Sequence, residues 1–156
     1  MIYEFCAENV TLLEKAMQAG ARRIELCDNL AVGGTTPSYG VTKAAVELAA
    51  NYDTTIMTMI RPRGGDFVYN DLEIAIMLED IRLTAQAGSQ GVVFGTLTAD
   101  KKLDKPNLEK LIAASKGMEI VFHMAFDELS DEDQLEAIDW LSQAGVTRIL
   151  TRAGVS

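Results

Sequence analysis

The 156-residue chain has little cysteine, a single histidine and a shortage of basic residues. Two cysteines do not make a disulfide framework; in a reducing compartment they stay thiols, free for packing, metal or catalysis. Lys and Arg number 14 against 23 Asp and Glu, a net charge of −9. Such a surface repels nucleic acid and anionic lipid, so any anion site has to be a local pocket. No stretch approaches the roughly twenty apolar residues of a membrane span. Met1-Ile2-Tyr3-Glu4-Phe5 also lacks the basic and apolar regions of a signal peptide, so the expectation is a cytoplasmic protein without a membrane partner. Nearly half the residues are apolar, enough for one domain with a substantial core.

What is present alternates. Apolar or β-branched runs at 2–7, 23–28, 54–60, 91–97, 119–126 and 148–151 read as strands. Between them lie stretches with helical spacing: a first helix capped at Asn9 or Thr11 with Val10, Leu13 and Met17 on one face, then Val41–Ala50, then a long helix from Asp71. The long helix has Ile74, Met77 or Leu78, Ile81 and Ala85 inward. Asn107–Ala114 and Asp131–Gln143 complete the set. Strict alternation implies a parallel sheet with right-handed crossovers. Gln18-Ala19-Gly20, Gln86-Ala87-Gly88 and Gln143-Ala144-Gly145 close helices one, three and five, so the repeating block is a pair of βα units. That pattern predicts a TIM-type (β/α)8 barrel, here truncated after about six strands and five helices, in a single incomplete domain spanning 1–156. A six-stranded open α/β sheet is the competing reading.

The stretch Ile60-Arg61-Pro62-Arg63-Gly64-Gly65-Asp66-Phe67 passes from apolar strand to charged turn. Pro62 ends the ladder and the glycines let the chain reverse. Ligands of α/β proteins bind at strand ends, and guanidinium forks suit carboxylate or phosphate, so Arg61, Arg63 and Asp66 are candidate anion-binding residues. The plainer reading is a surface turn in which Arg63 pairs with Asp66. Strands one and two share the phrase Glu-x-Cys, in Glu4-Phe5-Cys6 and Glu25-Leu26-Cys27. Parallel pairing would bring two thiols to one level, a soft site suited to Cu(I), unless Cys6 and Cys27 are simply small buried hydrophobes. Glu25 needs a partner if buried, and Arg61 on the next strand is the expected one. His123, sharing a strand face with Asp127 but roughly 13 Å from it, is a candidate acid or base in that company.

Arg23-Ile24-Glu25-Leu26-Cys27, Gly33-Gly34-Thr35-Thr36-Pro37-Ser38, the arginine–glycine phrase at 60–67 and Phe122-His123-x-Ala125-Phe126-Asp127 resemble, in order and spacing, the CutC copper-homeostasis proteins. The resemblance runs essentially the whole length. It implies a cytoplasmic TIM-type barrel, usually dimeric, linked to copper tolerance, with Cu(I) held at Cys6 and Cys27. Two positions depart from the family pattern: Met124 stands where an arginine is usual, and Thr151-Arg152-Ala153-Gly154 replaces a Thr-Ser-Gly phrase. Two functions follow. One is a Cu(I)-binding module using Cys6 and Cys27, with Met57 or Met59 as soft neighbours. The other is a barrel enzyme on a small anionic substrate, with Arg61 and Arg63 as clamp, His123 as acid or base, and Glu25 or Asp127 as orienter or second base.

Overall fold

The computed structural model describes residues 1–152. Six strands, β1 (Glu4–Glu8), β2 (Arg23–Cys27), β3 (Thr55–Met59), β4 (Gly91–Phe94), β5 (Glu119–Phe122) and β6 (Arg148–Ile149), form one parallel sheet in sequential order. Helices α1 (Leu13–Gln18), α2 (Tyr39–Ala49), α3 (Asp71–Gln86), α4 (Lys105–Ala114) and α5 (Asp131–Ala144) lie between successive strands. Sequential parallel order with a helix in every crossover is the strand order of the (β/α)8 barrel, and the expected fold class stands. Among the described residues β1 and β6 each pair with one neighbour only.

Strand alternation sorts the side chains into two cores. On the helix side, Ile24, Leu26 and Ile56 meet Leu13, Met17 and Ala45, while Val92, Phe94, Ile120 and Phe122 meet Ile74, Met77, Ile81, Leu108 and Leu141. Full burial of each large side chain contributes about 1.5–3 kcal/mol, so these two layers carry most of the packing energy. On the opposite face a smaller cluster gathers Cys27, Met57, Met59, Val93 and Val121, two of its five side chains being thioethers. This concave side carries the Cys27, Met57 and Met59 sulfurs, while those of Met17 and Met77 lie on the helix side.

Each Gln-Ala-Gly phrase ends its helix because its glycine takes positive φ, 106°, 92° and 101° at Gly20, Gly88 and Gly145, the left-handed turn that releases the chain toward the next strand. Other local expectations shift. Helix α1 begins at Leu13 after Leu12 at φ 59° with no side-chain cap, so neither Asn9 nor Thr11 caps it and Val10 stays exposed ahead of the helix. In α3 the fourth buried position is Thr84, with Ala85 turned to solvent. Strand β5 stops at Phe122, not Phe126. The His123 imidazole accepts a hydrogen bond from Ala125 N at 3.1 Å and starts a 3-10 turn over Met124–Glu128, which takes Asp127 off the strand.

Candidate functional site

The register sets the first distance that matters. Glu25 lies level with Cys6 on β1 and with Met57 on β3, and Cys27 lies level with Glu8. Shear therefore offsets the two cysteines by two residues, and the carboxylate between them takes both: the Cys6 thiol points at Glu25 Oε2 and the Cys27 thiol at Oε1, each at 3.9 Å. Cys6 is exposed on the edge strand; Cys27 and Glu25 are 1% and 5% exposed. Burial, then the neighbouring Glu4 carboxylate, pushes Glu25 up to about 7. Burial, then Glu25, pushes the Cys6 thiol up to about 11, and the same two causes push Cys27 higher still. Both sulfurs thus rest as thiols, hydrogen-bonded to one carboxylate. Gly34, at φ 96°, closes over this group, and a Cβ there would stand 2.9 Å from Cys27 Sγ. Among the described residues no three His, Cys, Asp or Glu side chains assemble as a metal cage.

Arg61 does not meet Glu25, contrary to expectation. Four residues separate it from Met57, the residue level with Glu25, which is roughly 13 Å along an extended chain. Its guanidinium turns instead into the loops above. Nη1 donates to Val32 O at 2.6 Å and Gly34 O at 3.0 Å, Nη2 donates to Gly65 O at 2.9 Å, and the plane lies 5.1 Å from the centre of the Phe67 ring. Thr36 holds the Arg61 backbone from both sides, accepting from Arg61 N at 2.8 Å and donating its own N–H to Arg61 O at 3.0 Å. The residue is 3% exposed, with Nε buried and without a partner.

Arg63 and Asp66 form a staple within the loop, as the plainer reading had it, and do not line the mouth. Arg63 Nε donates to Glu73 Oε2 at 2.5 Å and Nη2 to Asp66 Oδ1 at 3.1 Å, with Val68 O at 2.8 Å and Asp66 O at 3.0 Å among its further acceptors. Glu73 belongs to a capping box with Asn70 at the start of α3, so the loop and helix are locked through one carboxylate. The Asn70-x-x-Glu73 pattern was the sequence signal for this arrangement.

His123 is fully buried between Phe67 and Phe122, whose ring centres stand 4.9 and 6.1 Å away. Gly95 makes its space, since a Cβ there would lie 2.7 Å from His123 Cε1. Burial, then the Arg61 charge, pushes the imidazole down to about 3, and with Nδ1 accepting from Ala125 N the proton of the neutral ring sits on Nε2. That group does not titrate near neutrality, so the expected acid or base role meets a neutral, enclosed ring. Asp127 is tied elsewhere: it accepts from the Thr151 hydroxyl and, through Oδ2, from Arg152 N at 3.0 Å, pinning the segment after β6 to the β5 loop. Ala153 and Gly154 of the divergent phrase lie outside the described residues. Arg61, Gly33, Phe67, Met124, Asp127 and Arg152 nonetheless share one cleft of about 710 Å³ at the carboxyl ends of the strands. Sequence reasoning gave no role to Phe67 or Gly95, because their contacts with His123 are made between loops that follow different strands.

The CutC family model matches residues 1–156. A CutC family protein of Enterococcus faecalis is 55% identical over 154 residues, covering 99% of this chain and 74% of that protein, and one of Bacteroides thetaiotaomicron is 42% identical, with 96% and 58% covered. A crystal structure described as a candidate copper homeostasis protein CutC from Streptococcus agalactiae superposes with a TM-score of 0.95 at 48% identity, over 100% of this chain and 74% of that one. An archaeal fructose 1,6-bisphosphate aldolase, 16% identical with a TM-score of 0.63 over 88% of this chain and 52% of that one, shares the fold alone. On these grounds the chain belongs to the CutC family.

Proposed function

We propose that the chain serves copper homeostasis by holding Cu(I) between the thiols of Cys6 and Cys27, as cargo, in the cytoplasm and as a homodimer. One observation carries this reading: the two sulfurs, from different strands, converge on the two oxygens of the same carboxylate, so they open onto one small space. Thiolates and thioethers are the donors that select Cu(I), and Cys27 shares its cluster with Met57 and Met59. Cys6 supplies the exposed entry and Cys27 the enclosed end. Cu(I) displaces the thiol protons when it binds. The placement of Arg63 within its staple and of His123 as a neutral buried ring supports a binding role over acid–base catalysis on an anionic substrate.

The test is an anaerobic Cu(I) titration against a chromophoric competitor chelator, with wild type, Cys6→Ser, Cys27→Ser and the double variant, folding being checked by circular dichroism. One Cu(I) per chain is expected, with affinity falling by roughly 100-fold in each single variant, since each removes one of two soft donors. Folded single variants that hold Cu(I) as tightly as wild type would defeat the reading.

A further inference from the structure

We propose that the cleft at the carboxyl ends of the strands binds the oxyanion group of a small acid, carboxylate or phosphate, with Arg61 at its inner end. This site is separate from the paired thiols and does not rest on copper binding. Three features carry it. The first is an uncompensated charge. Arg61 is 3% exposed and every protein acceptor it has is a neutral backbone carbonyl, with no carboxylate within ion-pair distance among the described residues. A buried guanidinium in that condition retains a full charge facing the cleft, and desolvated charge strongly favours a counter-ion that arrives from solvent.

The second is unused donor capacity. Of the five guanidinium N–H groups, Nη1 supplies two to Val32 O and Gly34 O and Nη2 supplies one to Gly65 O. Nε is buried and without an acceptor among the described residues, and with Nη2 it forms one edge of the planar fork, beside the Tyr69 hydroxyl. That edge is the one Arg63 presents to Glu73 through Nε and Nη2, a demonstration within the same loop of its fit to a two-oxygen acid. The carbonyls and the Phe67 ring hold the fork in place, so little order has to be gained on binding.

The third is the cleft itself. At about 710 Å³ it lies within the usual range for small-molecule sites, and Gly33 leaves its wall open beside Arg61 Nη1. Arg152 lines the same cleft as a second cation, while the Asp127 oxygens are occupied by Thr151 and Arg152 N. The exposed Glu128 carboxylate at the rim repels polyanions, which limits the ligand to a small acid.

The experiment is carried out on the metal-free full chain at low chloride, so that its outcome is independent of the copper reading. Inorganic phosphate and malonate are titrated separately by calorimetry, and the amide signals of Gly33, Gly65 and Phe67 are followed by NMR. The expected result is one saturable site for at least one probe, with shifts centred on those three amides; the tighter probe names the ligand class. Ala31→Glu, an exposed change at the cleft wall that leaves the core alone, should weaken binding about tenfold by like-charge repulsion, and Arg61→Lys, which keeps the charge and loses the fork, should do the same. No saturable binding of either probe up to about 10 mM, a weakly favourable affinity by any measure, overturns the proposal. So does binding that neither variant changes, or shifts centred on the surface lysines Lys102 and Lys105.

Discussion

Gly34 is built against Cys27. The glycine backbone, at φ 96°, passes so close to the strand that a methyl group would lie 2.9 Å from the sulfur and 3.2 Å from Cβ. The same glycine gives its carbonyl to Arg61 Nη1, so one residue encloses the buried thiol on one side and anchors the buried guanidinium on the other. Gly34→Ala should therefore combine a left-handed backbone penalty with a steric clash. We expect a loss of about 2–4 kcal/mol in denaturant unfolding, a destabilisation that Cys27→Ala relieves in part by making room.

Removing the guanidinium leaves Gly34 O without its donor at a buried bond, and Val32 O and Gly65 O without theirs at partly exposed ones. Arg61→Met should lower stability by about 1–3 kcal/mol, from the unmet buried carbonyl and not from a stranded carboxylate. A double-mutant cycle with Glu25→Gln distinguishes the two. Since Glu25 bonds the thiols and lies a full four residues down the strand from Arg61, the coupling energy should stay below about 0.5 kcal/mol; a value of several kcal/mol would restore the ion pair.

His123 sets a dependence on acidity. Its folded-state value lies near 3, below the ordinary value of 6.5, so the folded protein declines a proton that the unfolded chain takes up. The contribution is complete above pH 6.5 and is lost as pH falls from there toward 3, at up to about 1.4 kcal/mol per pH unit. Denaturant midpoints between pH 7 and 4 should fall accordingly in wild type and fall less in His123→Gln. The Cε1 proton of His123 should show no titration between pH 5 and 8.

The two thiols should differ in access and share a low reactivity. Cys6 is exposed but raised to about 11, two units above an ordinary thiol, so at neutral pH its thiolate fraction is roughly 100-fold below that of a free cysteine. With a disulfide reagent the native protein should lose one thiol slowly and the second only on unfolding. Glu25→Gln, which removes the negative neighbour of both sulfurs, should speed the first step; an unchanged rate would show that burial alone governs it.

Alternation of apolar runs with helical spacing was enough to determine a parallel α/β sheet in sequential order, because period-2 and period-3.6 patterns report which face each residue buries before any long-range contact forms. The Gln-Ala-Gly phrases marked three helix ends for the same local reason, the cost of positive φ at any residue but glycine. The Glu-x-Cys repeat likewise put Cys6, Glu25 and Cys27 on inward positions. Partners across the sheet were not legible. Whether Arg61 meets Glu25 depends on strand register and on where the chain leaves the ladder, and the tertiary structure set those so that carboxylate and guanidinium stand at different heights. Whether His123 stays on a strand depended on its own ring capping a turn and on the space Gly95 leaves for that ring, a contact between residues that follow different strands. Burial then decided the chemistry: removal from water, which no local pattern records, holds His123 neutral and raises Glu25 and both thiols, and it encloses Arg61 among backbone carbonyls of two loops far apart in the chain.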